Sequence, residues 1–139
     1  LERISRHPEV LICTDMWTVA PEGPVTGGTP HPRAYGSFAR VLSKYVREKR
    51  ILSLEEAIHK MTGKTAKRIG LTDRGIIREN AYADLTIFDP ETINDTATFD
   101  SPSQYPSGIS CVVVNGKITV ENGKHTGVAA GQVLRMCSR

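Results

Sequence analysis

The stretch Thr29-Pro-His-Pro-Arg-Ala-Tyr-Gly-Ser-Phe-Ala-Arg-Val-Leu42 leads from a proline-rich loop into a predicted helix, with a histidine and an arginine near the change. Upstream lies a short apolar run, Val10-Leu-Ile-Cys13, with Asp15 just past its end. A continuous apolar run of this length is typical of a strand buried on both faces. Residues 21–32 hold four prolines and three glycines, which predicts an irregular loop. The sequence therefore predicts a strand, a loop and a helix in succession.

Three helices are predicted between residues 37 and 69. Ser37 is expected to cap the first, because apolar residues at the i, i+3, i+4, i+7 spacing of an amphipathic helix follow it. Ser53-Leu-Glu-Glu56 matches a capping box for the second helix, and Gly63 is expected to close that helix in a left-handed conformation. The third, over residues 65–69, is expected to stop at Gly70.

Beyond residue 70 the apolar pattern changes toward the period of two that is expected of β-strands. Short strands are predicted at Gly75-Ile-Ile77 and Ala83-Asp-Leu-Thr-Ile-Phe88, followed by a long irregular connection over residues 91–108. The clearest prediction is a hairpin over residues 111–121. Its turn is Asn115-Gly116, a pair that supplies the two positive φ angles of a type I′ turn.

Composition is that of a globular protein and argues against several classes of function. The 139 residues are 39% hydrophobic and 24% charged, and no apolar stretch approaches the roughly 20 residues of a membrane helix. A net charge of +3, without a dense basic stripe, argues against nucleic-acid binding. Cys13, Cys111 and Cys137 form no CxxC pair, so no zinc knuckle is predicted. Cys13 and Cys111 are expected to be buried, and a reducing cytoplasm is the expected compartment.

Two groups of motifs resemble the metal-dependent amidohydrolases. The broader group is similar to the small β-sandwich that flanks the barrel in many of these enzymes. It comprises Gly75-Ile-Ile-Arg-Glu-Asn-Ala-Tyr-Ala-Asp-Leu-Thr-Ile-Phe-Asp89 and Val113-Val-Asn-Gly116. Asn80 stands where a glycine is usual, and asparagine tolerates the left-handed region. The narrower group resembles the N-acyl-D-amino-acid deacylases, or D-aminoacylases. Its members are His31-Pro-Arg33, Gly36-Ser-Phe38, Arg40-Val-Leu42, Leu54-Glu-Glu-Ala57, Lys60-Met-Thr-Gly63, Thr65-Ala66 and Asp95-Thr-Ala-Thr-Phe99.

The resemblance implies an α/β plus β architecture. Residues 1–70 are expected to form the C-terminal strand and helices of a metal-dependent (β/α)8 amidohydrolase barrel, and residues 71–139 part of a small β-sandwich domain. It also implies that the chain is a C-terminal fragment of a longer hydrolase and is inactive alone, because the metal ligands of the family are expected upstream.

Three residues are the candidates for the site. Asp15 corresponds by resemblance to the strand-end aspartate that faces the metal-bound water, acts as general base and passes the proton to the leaving amine. Arg33 is implied to bind the substrate carboxylate, which suits a planar guanidinium, and His31 to line the pocket. From the residues alone, Asp15 also fits a turn or cap, Arg33 a surface arginine, and His31 a structural histidine.

The resemblance implies zinc in the full-length parent and none bound to this chain, where no cluster has metal-ligand spacing. The implied substrate is an N-acyl-D-amino acid, hydrolysed to a D-amino acid and a carboxylate. Neither nucleic acid nor a membrane is an expected partner, whereas self-association or pairing with a missing N-terminal part is. Two alternatives stay open: an amidohydrolase acting on cyclic amides, such as a dihydroorotase or hydantoinase, and a non-catalytic self-associating module.

Overall fold

The computed structural model describes residues 2–23 and 28–135 as a set of helices followed by an antiparallel sheet. Cys137 lies outside the described residues. The helices are α1 (Glu2–Ser5), α2 (Arg33–Arg40), a π-helical continuation of α2 (Val41–Glu48), α3 (Leu54–Met61) and α4 (Gly63–Arg68). The strands are β1 (Leu85–Phe88), β2 (Ile109–Val114), β3 (Lys117–Glu121) and β4 (Lys124–His125).

The sheet has the strand order β1-β2-β3-β4, and each neighbouring pair is antiparallel. Asn115 and Gly116 join β2 to β3 with φ angles of 50° and 78°, which confirms the predicted type I′ hairpin. Asn122 and Gly123 repeat the pattern, at 50° and 75°, and lead into β4. Asn80 has a φ of 62°, so asparagine does accommodate the left-handed turn for which glycine is usual.

A buried arginine ties the hairpin turn to the loop before β1. Arg74 forms an ion pair with Asp84 and donates a hydrogen bond to Asn115 Oδ1 at 2.6 Å. Its guanidinium also lies 4.1 Å from the centre of the Tyr82 ring, within the range of a cation–π contact. Asp84 in turn accepts a hydrogen bond from the Asn115 backbone N–H at 2.7 Å. These hydrogen bonds and the ion pair therefore hold the start of β1 and the end of β2 together.

Two local signals for the helices are confirmed. Ser53 Oγ accepts a hydrogen bond from the Glu56 backbone N–H at 3.1 Å, as a capping box requires at the start of α3. At the end of α4, Gly70 has a φ of 80°, and the Leu71 N–H donates to the Ala66 carbonyl at 2.9 Å. This backbone bond is the one that closes a helix at a left-handed glycine.

The prediction that Ser37 caps a helix is wrong, because α2 begins four residues earlier at Arg33. Pro32 precedes the helix with a φ of −51°, which presets the chain for helical continuation without needing a serine cap. Ser37 lies inside α2 and donates its hydroxyl proton to the Arg33 carbonyl at 2.7 Å. A serine within a helix can bond to the carbonyl four residues back in this way.

Two predictions around glycine are also wrong. Gly63 is not a left-handed cap but the first residue of α4, where a Cβ would lie 3.1 Å from the Gly75 carbonyl oxygen. No strand forms at residues 75–77, because Gly75 has a φ of 80° and turns the chain away from an extended path. Ile77 is consequently exposed rather than part of a sheet. Gly63 is therefore used for close packing rather than for its positive φ.

The strand predicted at residues 10–13 is absent, and Cys13 is exposed rather than buried. None of the four described strands pairs with this segment, and a strand buried on both faces needs such neighbours. A side chain holds the segment instead. Lys60, only 2% exposed, donates from Nζ to the His7 carbonyl at 2.6 Å and to the Val10 carbonyl at 3.2 Å. Cys111 is half-buried in β2.

One hydrophobic cluster joins the helices to the loop that follows β1. Ile93 enters it from that loop, and Arg47 fixes the same loop by donating to the carbonyls of Pro90, at 3.0 Å, and Ile93, at 2.8 Å. Apolar packing and hydrogen bonds together set the position of the loop against the helices. The buried members of the cluster are Ala39, Val41, Leu42, Ile51, Leu52, Ala57 and Ile93.

Replacing Lys60 by methionine is expected to lower the free energy of unfolding of the chain by about 1–3 kcal/mol. The apolar stem is kept, but the carbonyls of His7 and Val10 lose their donor. Urea unfolding followed by circular dichroism measures the effect. The matched control is Lys67→Met on the exposed face of α4, and equal destabilisation by the two variants would contradict this part of the structure.

Candidate functional site

Asp15 and Arg33, two of the three residues singled out by the sequence, lie together. Arg33 Nη1 is 3.1 Å from Asp15 Oδ2, and the two side chains are 43% and 77% exposed. Asp15 has a φ of 54°, in the left-handed region that residues other than glycine adopt uncommonly. Backbone conformations of this kind concentrate at functional sites. The ion pair therefore presents a carboxylate and a guanidinium to solvent side by side.

His31 is coupled to Arg33 through the start of α2. Its Nδ1 accepts a hydrogen bond from the Arg33 backbone N–H at 3.1 Å, which satisfies one of the free N–H groups at the helix start. The imidazole also meets the Phe99 ring edge-on, with 5.1 Å between the ring centres and an interplanar angle of 82°. His31 therefore links the start of α2 to the loop that ends at Phe99.

A cavity of about 450 Å³ opens beside these residues. Its walls come from the first two turns of α2 and from residues 95–99, so it lies between a helix and the loop after β1. Arg33 and Arg40 contribute positive charge, Asp95 contributes a carboxylate that pairs with Arg40, and Phe99 contributes an apolar ring. A cavity with convergent cations and an apolar wall suits a small molecule that carries a carboxylate.

Asp95 is the site residue that had no assigned role in the sequence reasoning. Its side chain is 8% exposed; Oδ2 lies 3.3 Å from Arg40 Nη1, and Oδ1 accepts the Ala97 N–H at 3.0 Å. In the sequence, Asp95 stands out only as the first residue of a motif that resembles the deacylases. Its contact with α2 joins residues 55 positions apart, which no local pattern reveals.

A larger cavity, of about 690 Å³, lies elsewhere, between α3, α4 and the segment around Glu9. Its lining is rich in lysine and arginine, but it includes none of Asp15, His31 and Arg33. We place the candidate site at the smaller cavity because Arg33, which lines it, forms the ion pair with Asp15 and so brings a carboxylate beside a guanidinium.

The residues present do not complete a metal site. Across residues 2–23 and 28–135, no three side chains of histidine, cysteine, aspartate or glutamate are grouped as metal ligands would be. Catalytic zinc takes about three protein ligands and an open position, and Asp15, His31 and Asp95 do not form such a set among the described residues. Within the described ranges, no helix is long and apolar enough to cross a membrane.

Sequence comparison relates the chain to hydrolases of amide bonds. Residues 22–120 match the model of the amidohydrolase family. The chain is 47% identical over 135 residues to an N-acyl-D-aspartate deacylase of Alcaligenes xylosoxydans xylosoxydans, an alignment that covers 96% of the chain and 26% of the relative. The chain thus spans about a quarter of the length of this relative. Dihydroorotases match over less of the chain and at lower identity.

Solved structures give the same relationship. A D-aminoacylase whose binuclear metal centre shows activation by one metal and attenuation by the second is 39% identical, with a TM-score of 0.83 over 95% of this chain and 26% of that one. An N-acyl-D-glutamate deacylase from Bordetella bronchiseptica, complexed with zinc and a phosphonate that mimics the tetrahedral intermediate, is 41% identical, with a TM-score of 0.75 over 85% of this chain and 23% of that one.

Proposed function

The chain belongs to the amidohydrolase family, and on that premise we propose that it forms part of a zinc-dependent N-acyl-D-amino-acid deacylase. Such an enzyme hydrolyses the amide bond of an N-acyl-D-amino acid and releases a D-amino acid and a carboxylate. The 3.1 Å contact between Asp15 and Arg33 is the observation that carries the proposal. It brings a proton acceptor next to a cation able to hold the substrate carboxylate.

Asp15 is the general base of the proposed reaction. Its carboxylate accepts the proton of the attacking water and then delivers that proton to the amine nitrogen as the amide bond breaks. The exposure of the side chain leaves it open to a substrate. Zinc held by residues outside this chain would supply the activation of the water and the polarisation of the amide carbonyl.

Arg33 orients the substrate. A guanidinium holds a carboxylate through two parallel hydrogen bonds, which fixes the direction of the molecule as well as its place. Binding of the substrate carboxylate to Arg33 draws the guanidinium away from Asp15, so the base is released when the substrate arrives. His31 lines the cavity and holds the backbone N–H of Arg33.

The finer architecture is part of the proposal. Residues 1–70 belong to the C-terminal end of a (β/α)8 barrel, and residues 71–139 to a portion of a small β-sandwich. The zinc ligands come from residues outside this chain. The chain by itself self-associates or pairs with the rest of the barrel. The proposed compartment is the cytoplasm.

A longer protein that contains these residues is expected to hydrolyse N-acyl-D-amino acids in preference to their L-enantiomers. A chelator should abolish the activity and zinc should restore it, whereas the 139 residues alone should neither turn over substrate nor retain stoichiometric zinc. Amine release assays and metal analysis of both proteins test this. Hydrolysis of dihydroorotate instead would favour a cyclic-amide hydrolase, and chelator-sensitive turnover by the 139 residues alone would contradict the proposal.

A further inference from the structure

We propose that Asp95 is a positioning residue for substrate binding. Its carboxylate docks the loop of residues 94–99 against α2 and thereby holds Arg33 and His31 at the cavity of about 450 Å³. The inference rests on the proposed function, because it assigns Asp95 a part in binding the substrate carboxylate. It adds a residue that neither contacts the reacting atoms nor belongs to α2.

Asp95 lies against the backbone of α2 at a position that only glycine fits. A Cβ on Gly36 would lie 1.9 Å from Asp95 Oδ1 and 2.4 Å from Asp95 Cγ, far inside van der Waals contact. Gly36 is one helical turn beyond Arg33. The carboxylate therefore touches the same end of the helix that presents the arginine, and the absence of a side chain at Gly36 makes the approach possible.

Both oxygens of Asp95 are used, one on each side of the junction. Oδ1 accepts the Ala97 N–H within the loop, and Oδ2 pairs with Arg40 on α2. A carboxylate that is 8% exposed is costly to bury unless it is paired and hydrogen-bonded. Because Arg40 supplies the paired charge from α2, the docked loop buries the carboxylate without leaving it unpaired.

The far end of the loop reaches the site through His31. Phe99 contacts the imidazole edge-on, and the imidazole accepts the Arg33 N–H. The loop thus contacts α2 through Asp95 and contacts His31, two residues before Arg33, through Phe99. The two contacts lie on either side of Arg33. Two separated contacts constrain the rotation of the helix start, which a single contact does not.

The first test uses the longer protein and the variant Asp95→Asn. The amide keeps the acceptor for Ala97 but removes the charge that faces Arg40, so KM for N-acyl-D-amino acids should rise about tenfold with kcat nearly unchanged. Substrates whose carboxylate is amidated should show no change in KM. The matched control is Asp89→Asn: Asp89 makes the same local contact, with Glu91 N–H at 2.9 Å, in an exposed turn after β1.

The second test uses the 139-residue chain and needs no activity. Gly36→Ala and Asp95→Ala should each shift the ring resonances of His31 in NMR spectra, because Phe99 leaves the imidazole when the loop undocks. The two substitutions should be non-additive in the free energy of unfolding. Once Asp95 is removed, the alanine at position 36 has room, so the double variant should be no less stable than Asp95→Ala.

A rise in KM confined to carboxylate substrates, together with the shifted His31 resonances, supports the inference. Equal effects of Asp95→Asn and Asp89→Asn on KM, or unshifted His31 resonances in Asp95→Ala, overturn it. If the longer protein hydrolyses no N-acyl-D-amino acid, the proposed function fails; the NMR shifts and the double-mutant cycle then decide the docking by themselves.

Discussion

Replacing Asp15 by asparagine in the longer, metal-loaded protein is expected to lower kcat by about 10²–10⁴-fold, the usual contribution of a general base. Asparagine keeps the shape of the side chain but cannot accept the proton of the attacking water. It also tolerates the left-handed φ of 54° that this position adopts, so the backbone is not strained by the change. The loss therefore reports on chemistry rather than on folding. Initial rates at saturating substrate measure it.

The stability of the Asp15→Asn protein shows whether its loss of kcat comes from chemistry or from a change in structure. The ion pair between Asp15 and Arg33 is exposed on both sides, and exposed pairs contribute about 0–1 kcal/mol. The Asp15→Asn protein should therefore unfold at nearly the same denaturant concentration as the parent. Asp100→Asn, on an exposed bend, is the control substitution. A kcat within about threefold of the parent would remove Asp15 from the role of base.

Replacing Arg33 by lysine is expected to raise KM by about 10–100-fold, the equivalent of about 1.5–3 kcal/mol for a hydrogen bond to a charged group. Lysine keeps the positive charge but presents a single ammonium in place of the two parallel donors of the guanidinium. The change should fall on KM more than on kcat, because the lost contact is made in both the bound substrate and the transition state.

Amidated substrates provide the internal control for Arg33. They lack the carboxylate, so wild-type and Arg33→Lys proteins should bind them with similar KM. Arg68→Lys, on an exposed position of α4, is the matched control substitution and should leave KM for every substrate unchanged. A normal KM for N-acyl-D-amino acids in Arg33→Lys would mean that another residue binds the carboxylate.

Sequence signals that depend on a few neighbouring residues predicted the structure well. Asn115-Gly116 needs only its own φ angles to define a hairpin, and Ser53 needs only a backbone N–H three residues away. The predicted strand at residues 10–13 failed because a buried strand depends on neighbours, and here a lysine from α3 supplies the hydrogen bonds. The strand predicted at residues 75–77 is wrong for a local reason. The two isoleucines after Gly75 suggested a strand, but the positive φ of Gly75 turns the chain.

For the candidate site too, contacts between residues close in sequence were predictable, and contacts between distant residues were not. His31 and Arg33 stand two residues apart, so their proximity followed directly from the sequence. The ion pair of Arg33 with Asp15 joins side chains separated by 17 residues, from 16 to 32, and the resemblance implied a role for each residue but not the contact between them. Asp95 was not predicted as a site residue, because its partners Gly36 and Arg40 lie far away in sequence. Nothing in the sequence around those two residues indicates a contact with a carboxylate.

The π-helical segment Val41–Glu48 sets how far Arg33 is rotated about the helix axis relative to Arg47. Arg33 lies before the segment at the candidate site, and Arg47 lies within it, bound to the carbonyls of Pro90 and Ile93. A wider helical turn accommodates one additional residue relative to an α-helix. Loss of one residue here would be absorbed by a change from the wider turn to an α-helical turn, which keeps the orientation of Arg33 relative to the anchored end. The segment thus allows the chain length between Arg33 and Arg47 to change by one residue without a change in the direction of the arginine.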